Sequence, residues 1–186
     1  MKHYLAIFDL DGTLFDTYPA NWLSYQTAIS EHGYEISEHY FREHCQGKYY
    51  RDFLPPILGE INETTLQSIH KRKQILYKTF LNQVRINNHL FRILEGIRTT
   101  YHTSIVTTAS HQNCTELLEY FHKTDYFDLI LTREDVTKSK PDPEGFVKAI
   151  NHFGISADKT IIFEDSPEGI NAAKIKGVTV LQVINL

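Results

Sequence analysis

Cysteine is scarce: the chain has two, Cys45 and Cys114, far apart and outside any CxxC spacing. That excludes a disulfide framework and leads us to expect free thiols in a reducing compartment. No apolar run approaches the roughly 18 residues that cross a bilayer. Asp9 cuts the amino-terminal apolar run too early for a secretory segment. No engagement with a membrane and a cytoplasmic location are therefore the expectations. A basic stripe is also missing. The 19 basic and 23 acidic residues are interspersed, the formal net charge is -4, and no nucleic-acid partner is expected. Lys71-Arg72-Lys73 alone clusters, and it reads as a solvated helix face. The ten histidines contain no HxH or HExxH, so metal binding through imidazole is not expected. Internal repeats and low-complexity segments are absent as well.

What remains is a globular chain of 186 residues, 41% hydrophobic, enough for one sizeable core and a small second lobe. Residues 4 to 8 read as a buried strand. A helix is expected from Pro19 to His32, with Gly33 just past its end and Trp22, Tyr25 and Ile29 on one face. Tyr50, Phe53 and Leu54 suggest another helical turn, stopped by Pro55-Pro56. Asn62 suits the cap of a longer helix carrying Leu66, Ile69, Leu76 and Phe80.

The rhythm then changes. Leu90, Ile93, Leu94, Ile97 and Tyr101 have the spacing of an amphipathic helix. Strands are expected at 104–108, 128–131, 160–163 and 178–181. Between them lie helices marked by Leu117, Leu118 and Phe121, by Phe146, Ile150 and Phe153, and by Pro167 to Lys176. Short apolar strands alternating with helices predict an α/β fold with a parallel five-stranded sheet covered on both faces. Residues 1–15 and 85–186 would form this catalytic core. The block 16–84 is too long for a simple crossover and reads as an inserted α-helical cap.

In open α/β sheets ligands gather beyond the carboxyl ends of the strands. The first strand is followed by Asp9-Leu10-Asp11-Gly12-Thr13, the second by Thr108. Lys140 lies near the loop after the third, and Glu164-Asp165-Ser166 follows the fourth. Several carboxylates at one rim need a cation, and an oxygen-only donor set suits Mg²⁺. A carboxylate that attacks phosphorus gives an aspartyl-phosphate and splits one difficult step into two. On this reading Asp9 is the nucleophile and a metal ligand. Asp11 is near enough to move protons for the leaving group and the attacking water. Gly12 lets the chain turn sharply and present N–H groups to phosphate. Asp16, past the turn, reads as the cap of the first helix.

These residues resemble the haloacid dehalogenase superfamily of phosphatases, in the branch with a small helical cap. The DxDGT signature is Asp9 to Thr13, and the strand-end hydroxyl is Thr108, or Thr107 in the other register. Lys-Pro-x-Pro is Lys140 to Pro143, the acidic pair is Glu164-Asp165, and Gly-Ile-x-Ala-Ala is Gly169 to Ala173. The resemblance implies a Rossmann-like core with a mobile helical cap, and a Mg²⁺-dependent phosphatase of the phosphoglycolate phosphatase type acting on a small phosphorylated metabolite. It further implies that Thr108, Lys140 and Gly12 hold phosphate. Asp9, the Asp11 carbonyl, Asp165 and Glu164 would hold the metal. Gly47-Lys48-Tyr49-Tyr50-Arg51 resembles the cap loop that meets substrate in relatives, which makes Lys48 and Arg51 candidate substrate contacts. Pro-Gly, usual before the helix that starts near residue 90, is replaced by Asn87-Asn88, which suits a cap. The alternatives are a phosphomutase of the β-phosphoglucomutase type, and an inactive phosphate-binding or signalling relative. C–halogen hydrolysis is disfavoured, because members that perform it lack the second Asp of the signature and Asp11 is present.

Overall fold

The computed structural model describes residues 2–45 and 48–184. The chain forms two compact units, Thr17–Val84 and the pair Met1–Asp16 with Arg85–Leu186. No helix among the described residues is long and apolar enough to cross a membrane.

Residues Thr17–Val84 are helical throughout their regular elements. They form α1 (Tyr18–Glu31), α2 (Glu38–His44), α3 (Tyr50–Leu58) and α4 (Glu63–Tyr77), followed by a 3₁₀ segment, Lys78–Gln83. Ser37 and Asn62 cap α2 and α4 by accepting the N–H groups of Tyr40 and Thr65. α1 and α4 lie along each other over a core that includes Tyr25, Ile29, Phe41, Phe53, Leu54 and Ile69.

Three expectations are corrected here. Pro55 and Pro56 do not stop α3, which runs on to Leu58. Each proline removes one N–H, but the carbonyls left without partners belong to Arg51 and Asp52, whose residues are exposed to water. Phe53, Leu54 and Leu58 bury the other face and hold the helix together. Asp16 does not cap α1, because Thr17 takes that position and Asp16 instead accepts the Arg85 guanidinium. Lys73 is not on a solvated face. It is buried, with its ammonium 4.5 Å from the centre of the Tyr77 ring and 5.2 Å from that of Tyr25.

His70 stacks on Tyr50 with ring centres 3.7 Å apart. Burial, helped by the Lys73 and Arg51 charges, lowers its pKa to about 4. The folded state therefore holds His70 neutral over a range in which an unfolded chain, titrating near 6.5, would bind a proton. Its stabilising contribution is complete above about pH 6.5 and is lost as pH falls toward 4. Because the ring is only partly buried, we expect about 1–2 kcal/mol rather than the full shift. Thermal melts between pH 7 and pH 4.5 should show the decline. His70→Phe, which keeps the stacking and cannot titrate, should flatten it; an equal decline in that variant would assign the effect elsewhere.

The other unit carries β1 (Tyr4–Phe8), β2 (Phe15–Asp16), β3 (Arg85–Ile86), α5 (Asn88–Ile97), β4 (Tyr101–Val106), α6 (His111–Tyr120), β5 (Leu129–Leu131), α7 (Glu144–Phe153), β6 (Thr160–Glu164), α8 (Pro167–Ala172) and β7 (Thr179–Gln182). The five-stranded sheet has the order β5-β4-β1-β6-β7 and is parallel throughout. β2 and β3 form a separate antiparallel pair. Tyr101 belongs to β4 rather than to the preceding helix. It pairs with Tyr4 across the sheet, and their rings stack 5.0 Å apart. α8 is shorter than expected and ends at Ala172. β1 lies at the centre, with Phe8 level with Ile105 on one side and Phe163 on the other. The ends of β1 and β6 are thus adjacent, and the Asp9 N–H continues the ladder by donating to the Phe163 carbonyl at 2.9 Å.

Candidate active site

Asp9 is buried at the end of β1, and its carboxylate faces Lys140. The Lys140 ammonium donates to Asp9 Oδ1 at 2.6 Å and to Glu164 Oε2 at 2.6 Å. A lysine that follows β5 thus bridges acids at the ends of β1 and β6. The approach is fixed locally. Glu144, in the first turn of α7, accepts the Thr137 and Lys138 N–H groups and the Thr137 hydroxyl. Its ion pair with Lys148, then these bonds, hold the Glu144 carboxyl well below the usual range.

Glu164 is fully buried and every oxygen is engaged. Oε1 accepts from the Ser166 N–H at 3.1 Å and the Ser166 hydroxyl at 2.7 Å, while Oε2 takes Lys140. Ser166 caps α8 as its place before Pro167 suggests, accepting from the Gly169 N–H at 3.0 Å. A methyl group on Gly169 would collide with the Glu164 carboxylate, so only glycine allows this approach.

Asp165 points back toward the first loop. Its Oδ1 accepts from the Thr13 hydroxyl at 2.9 Å. Gly12 has φ +87°, and a side chain there would strike the Asp165 carboxylate. Asp9, Glu164 and Asp165 each present an oxygen, all within 4.8 Å of one another. Burial pushes the Asp9 carboxyl well above its ordinary range; the Lys140 charge opposes this, and Glu164, Asp165 and Asp11 reinforce it. Burial also raises Asp165, to about 6, against the Thr13 bond. Burial alone would lower Lys140, but Asp9 and Glu164 outweigh it and hold the ammonium charged. Closely spaced carboxylates with no His or Cys among them form the donor set of a hard divalent cation.

Thr107 is buried, and its hydroxyl accepts the Ala109 N–H at 3.0 Å. Thr108 is exposed and lines a recess with Thr107, Lys138, Ser139 and Lys140. The cap candidates lie in the helical unit. Gly47 falls outside the described residues, and Lys48 is exposed. Arg51 grips Glu63 with distances of 2.8 and 2.6 Å. Both cysteines are free and buried.

Three features escaped sequence reasoning. The Thr13–Asp165 and Ser166–Glu164 bonds join residues named for other reasons, and no spacing rule signals them. Asn87 caps α5 as expected, accepting the Leu90 N–H, but it also bonds the first loop.

Residues 6–183 match the family model described as haloacid dehalogenase-like hydrolase. The chain is 27% identical over 181 residues to a phosphorylated carbohydrates phosphatase of Thermotoga maritima, covering 93% of this chain and 81% of that protein. It is 29% identical over 192 residues to the pyrophosphatase PpaX of Halalkalibacterium halodurans, covering 96% and 82%. The crystal structure of CbbY from Rhodobacter sphaeroides in complex with phosphate superposes with a TM-score of 0.86 at 19% identity, covering 99% of this chain and 87% of that one.

Proposed function

The chain belongs to the haloacid dehalogenase-like hydrolases, and from that premise we propose that it is a Mg²⁺-dependent phosphatase that cleaves a small phosphomonoester through an aspartyl-phosphate. The observation that carries the reading is the buried Asp9 carboxylate, held by Lys140 beside Glu164 and Asp165. The relatives named for phosphatase and pyrophosphatase activity favour a phosphorylated substrate.

Lys140 fixes one Asp9 oxygen and its orientation. The Asp9 carboxylate attacks phosphorus; the bond from phosphorus to the ester oxygen breaks, and Asp11 gives that oxygen a proton. Asp11, now ionised, takes a proton from water. The water oxygen bonds to phosphorus, the Asp9–phosphorus bond breaks, and inorganic phosphate leaves with Asp9 restored. Thr108 and Lys140 hold the phosphoryl oxygens; the Gly12 N–H does not, because it donates to the Phe15 carbonyl at 2.7 Å, and Gly12 serves the site by its turn against Asp165. Asp9, Asp165, the Asp11 carbonyl and Glu164 would hold Mg²⁺, which neutralises charge on the phosphoryl group. Glu164 serves directly or through water, since its oxygens already bind Ser166 and Lys140. Lys48 and Arg51 are the proposed substrate contacts of the helical unit.

The test is phosphate release from an aryl phosphate, with Mg²⁺ and with a chelator. Release should stop on chelation and return with Mg²⁺. Turnover that survives chelation would remove the metal from the scheme. Isomerisation of a sugar phosphate without net phosphate release would indicate a mutase. A panel of phosphorylated metabolites then identifies the substrate.

A further inference from the structure

We infer that Asn87 is a positioning residue that sets metal affinity by clamping the Gly12–Leu14 turn, and through it Asp165. The inference rests on the metal-dependent reading above and assigns a role that none of the signature residues fills. Asn87 follows β3, where the chain returns from the helical unit to the sheet. It makes four bonds at once, one of them at its carbonyl, which accepts the Phe91 N–H at 3.0 Å. Its N–H donates to the Leu14 carbonyl at 2.9 Å, and its Nδ2 donates to the Thr13 carbonyl at 3.0 Å. Its Oδ1 accepts the Leu90 N–H at 3.1 Å and so starts α5. Thr13 is fully buried, and its hydroxyl is bonded to Asp165. Gly12, next to it, lies flush against the same carboxylate.

Asp165 is therefore seated on residues 12 and 13, by close contact with the Gly12 backbone and by a hydrogen bond from the Thr13 side chain. The backbone is in turn pinned at consecutive carbonyls by one residue. A proline at position 87 could make neither donation, having no N–H and no amide. The Gly12 N–H to Phe15 bond and the bonds from the Leu14 and Phe15 N–H groups to Leu10 close within the turn, and Phe15 pairs with Ile86 in the β2–β3 ladder. Asn87 supplies a tie from that turn to the start of α5. Partners that orient a metal ligand commonly change affinity by about 10- to 100-fold when removed. Asn87 acts one residue further out, through Thr13, so a smaller change follows.

Asn87→Ser separates the roles. Serine keeps a cap acceptor for Leu90 and the backbone N–H, adds no charge, and is too short to donate to the Thr13 carbonyl. Mg²⁺ alone is titrated calorimetrically into the whole protein and into Asn87→Ser and Asn87→Ala, with no substrate present. The dissociation constant should rise about 3- to 10-fold in both variants. In turnover assays the Mg²⁺ requirement should rise in parallel, while KM for an aryl phosphate at saturating Mg²⁺ stays within about twofold. A Mg²⁺ constant unchanged in Asn87→Ser, with a wild type that binds Mg²⁺ and turns over, overturns the inference and leaves the phosphatase reading intact. A wild type that neither binds Mg²⁺ nor depends on it overturns both.

Discussion

Asp9→Asn is expected to lower turnover by on the order of 10⁴-fold or more while leaving the fold in place. The amide has the shape of the carboxylate, but it carries no negative charge and its oxygen is a far weaker nucleophile toward phosphorus. It cannot form an acyl phosphate at a useful rate. The substitution should be tolerated because Lys140 keeps Glu164 as a partner at 2.6 Å. It also removes a carboxyl that burial disfavours in its charged form. Circular dichroism melts should agree with the wild type to within a few degrees, since no cavity or orphan charge is created. Acid-quenched reactions with a labelled phosphate ester should trap label on the wild-type protein and none on the variant. A variant that turns over normally would exclude Asp9 as the attacking group.

Lys140→Met should damage both activity and stability, which distinguishes it from the first variant. Methionine matches the lysine stem but lacks the ammonium, leaving two buried acids with no cation between them. Removing one partner of a buried ion pair typically destabilises by about 3–5 kcal/mol. Turnover should fall by about 10³-fold or more, because Asp9 loses its orienting bond and the phosphoryl charge loses a cation. The pH dependence has a definite sign. Without Lys140, which opposes the upward shift, the Asp9 carboxyl in the fold would titrate still further above its unfolded value. Protonation would favour the folded state, and the relative stability would be lost as pH rises. Urea unfolding in metal-free buffer should therefore show a wide gap from wild type at pH 8 and a narrower one at pH 5. A gap that is constant with pH would mean that the lysine acts by packing alone, against the Phe146 ring 5.1 Å away.

The β-strand ends were readable because each apolar run stops at a polar residue whose backbone leaves the sheet. Asp9, Thr108 and Glu164 could be assigned to one rim from topology alone, since parallel strands must share a carboxyl edge. Gly154 and Asn62 mark helix ends by local backbone chemistry, and the structure uses both so. Where the reading failed, a distant partner had overridden a local preference. Pro55-Pro56 is a strong stop, yet Phe53, Leu54 and Leu58 anchor α3 across it. Asp16 is a good cap, yet Arg85 lies opposite it in the β2–β3 pair. Tyr101 fits a helical period, yet Tyr4 draws it into the sheet.

The sequence by itself determined the α/β alternation, the helical insertion and the acids and lysine of the site, because periodicity, capping and strand-end polarity are local. Tertiary structure alone decided which oxygens Lys140 bridges, that Thr13 seats Asp165, and that Asn87 pins the turn between them. Hydrogen bonds between residues more than 70 positions apart depend on distances of a few tenths of an ångström, which packing sets and no spacing rule records.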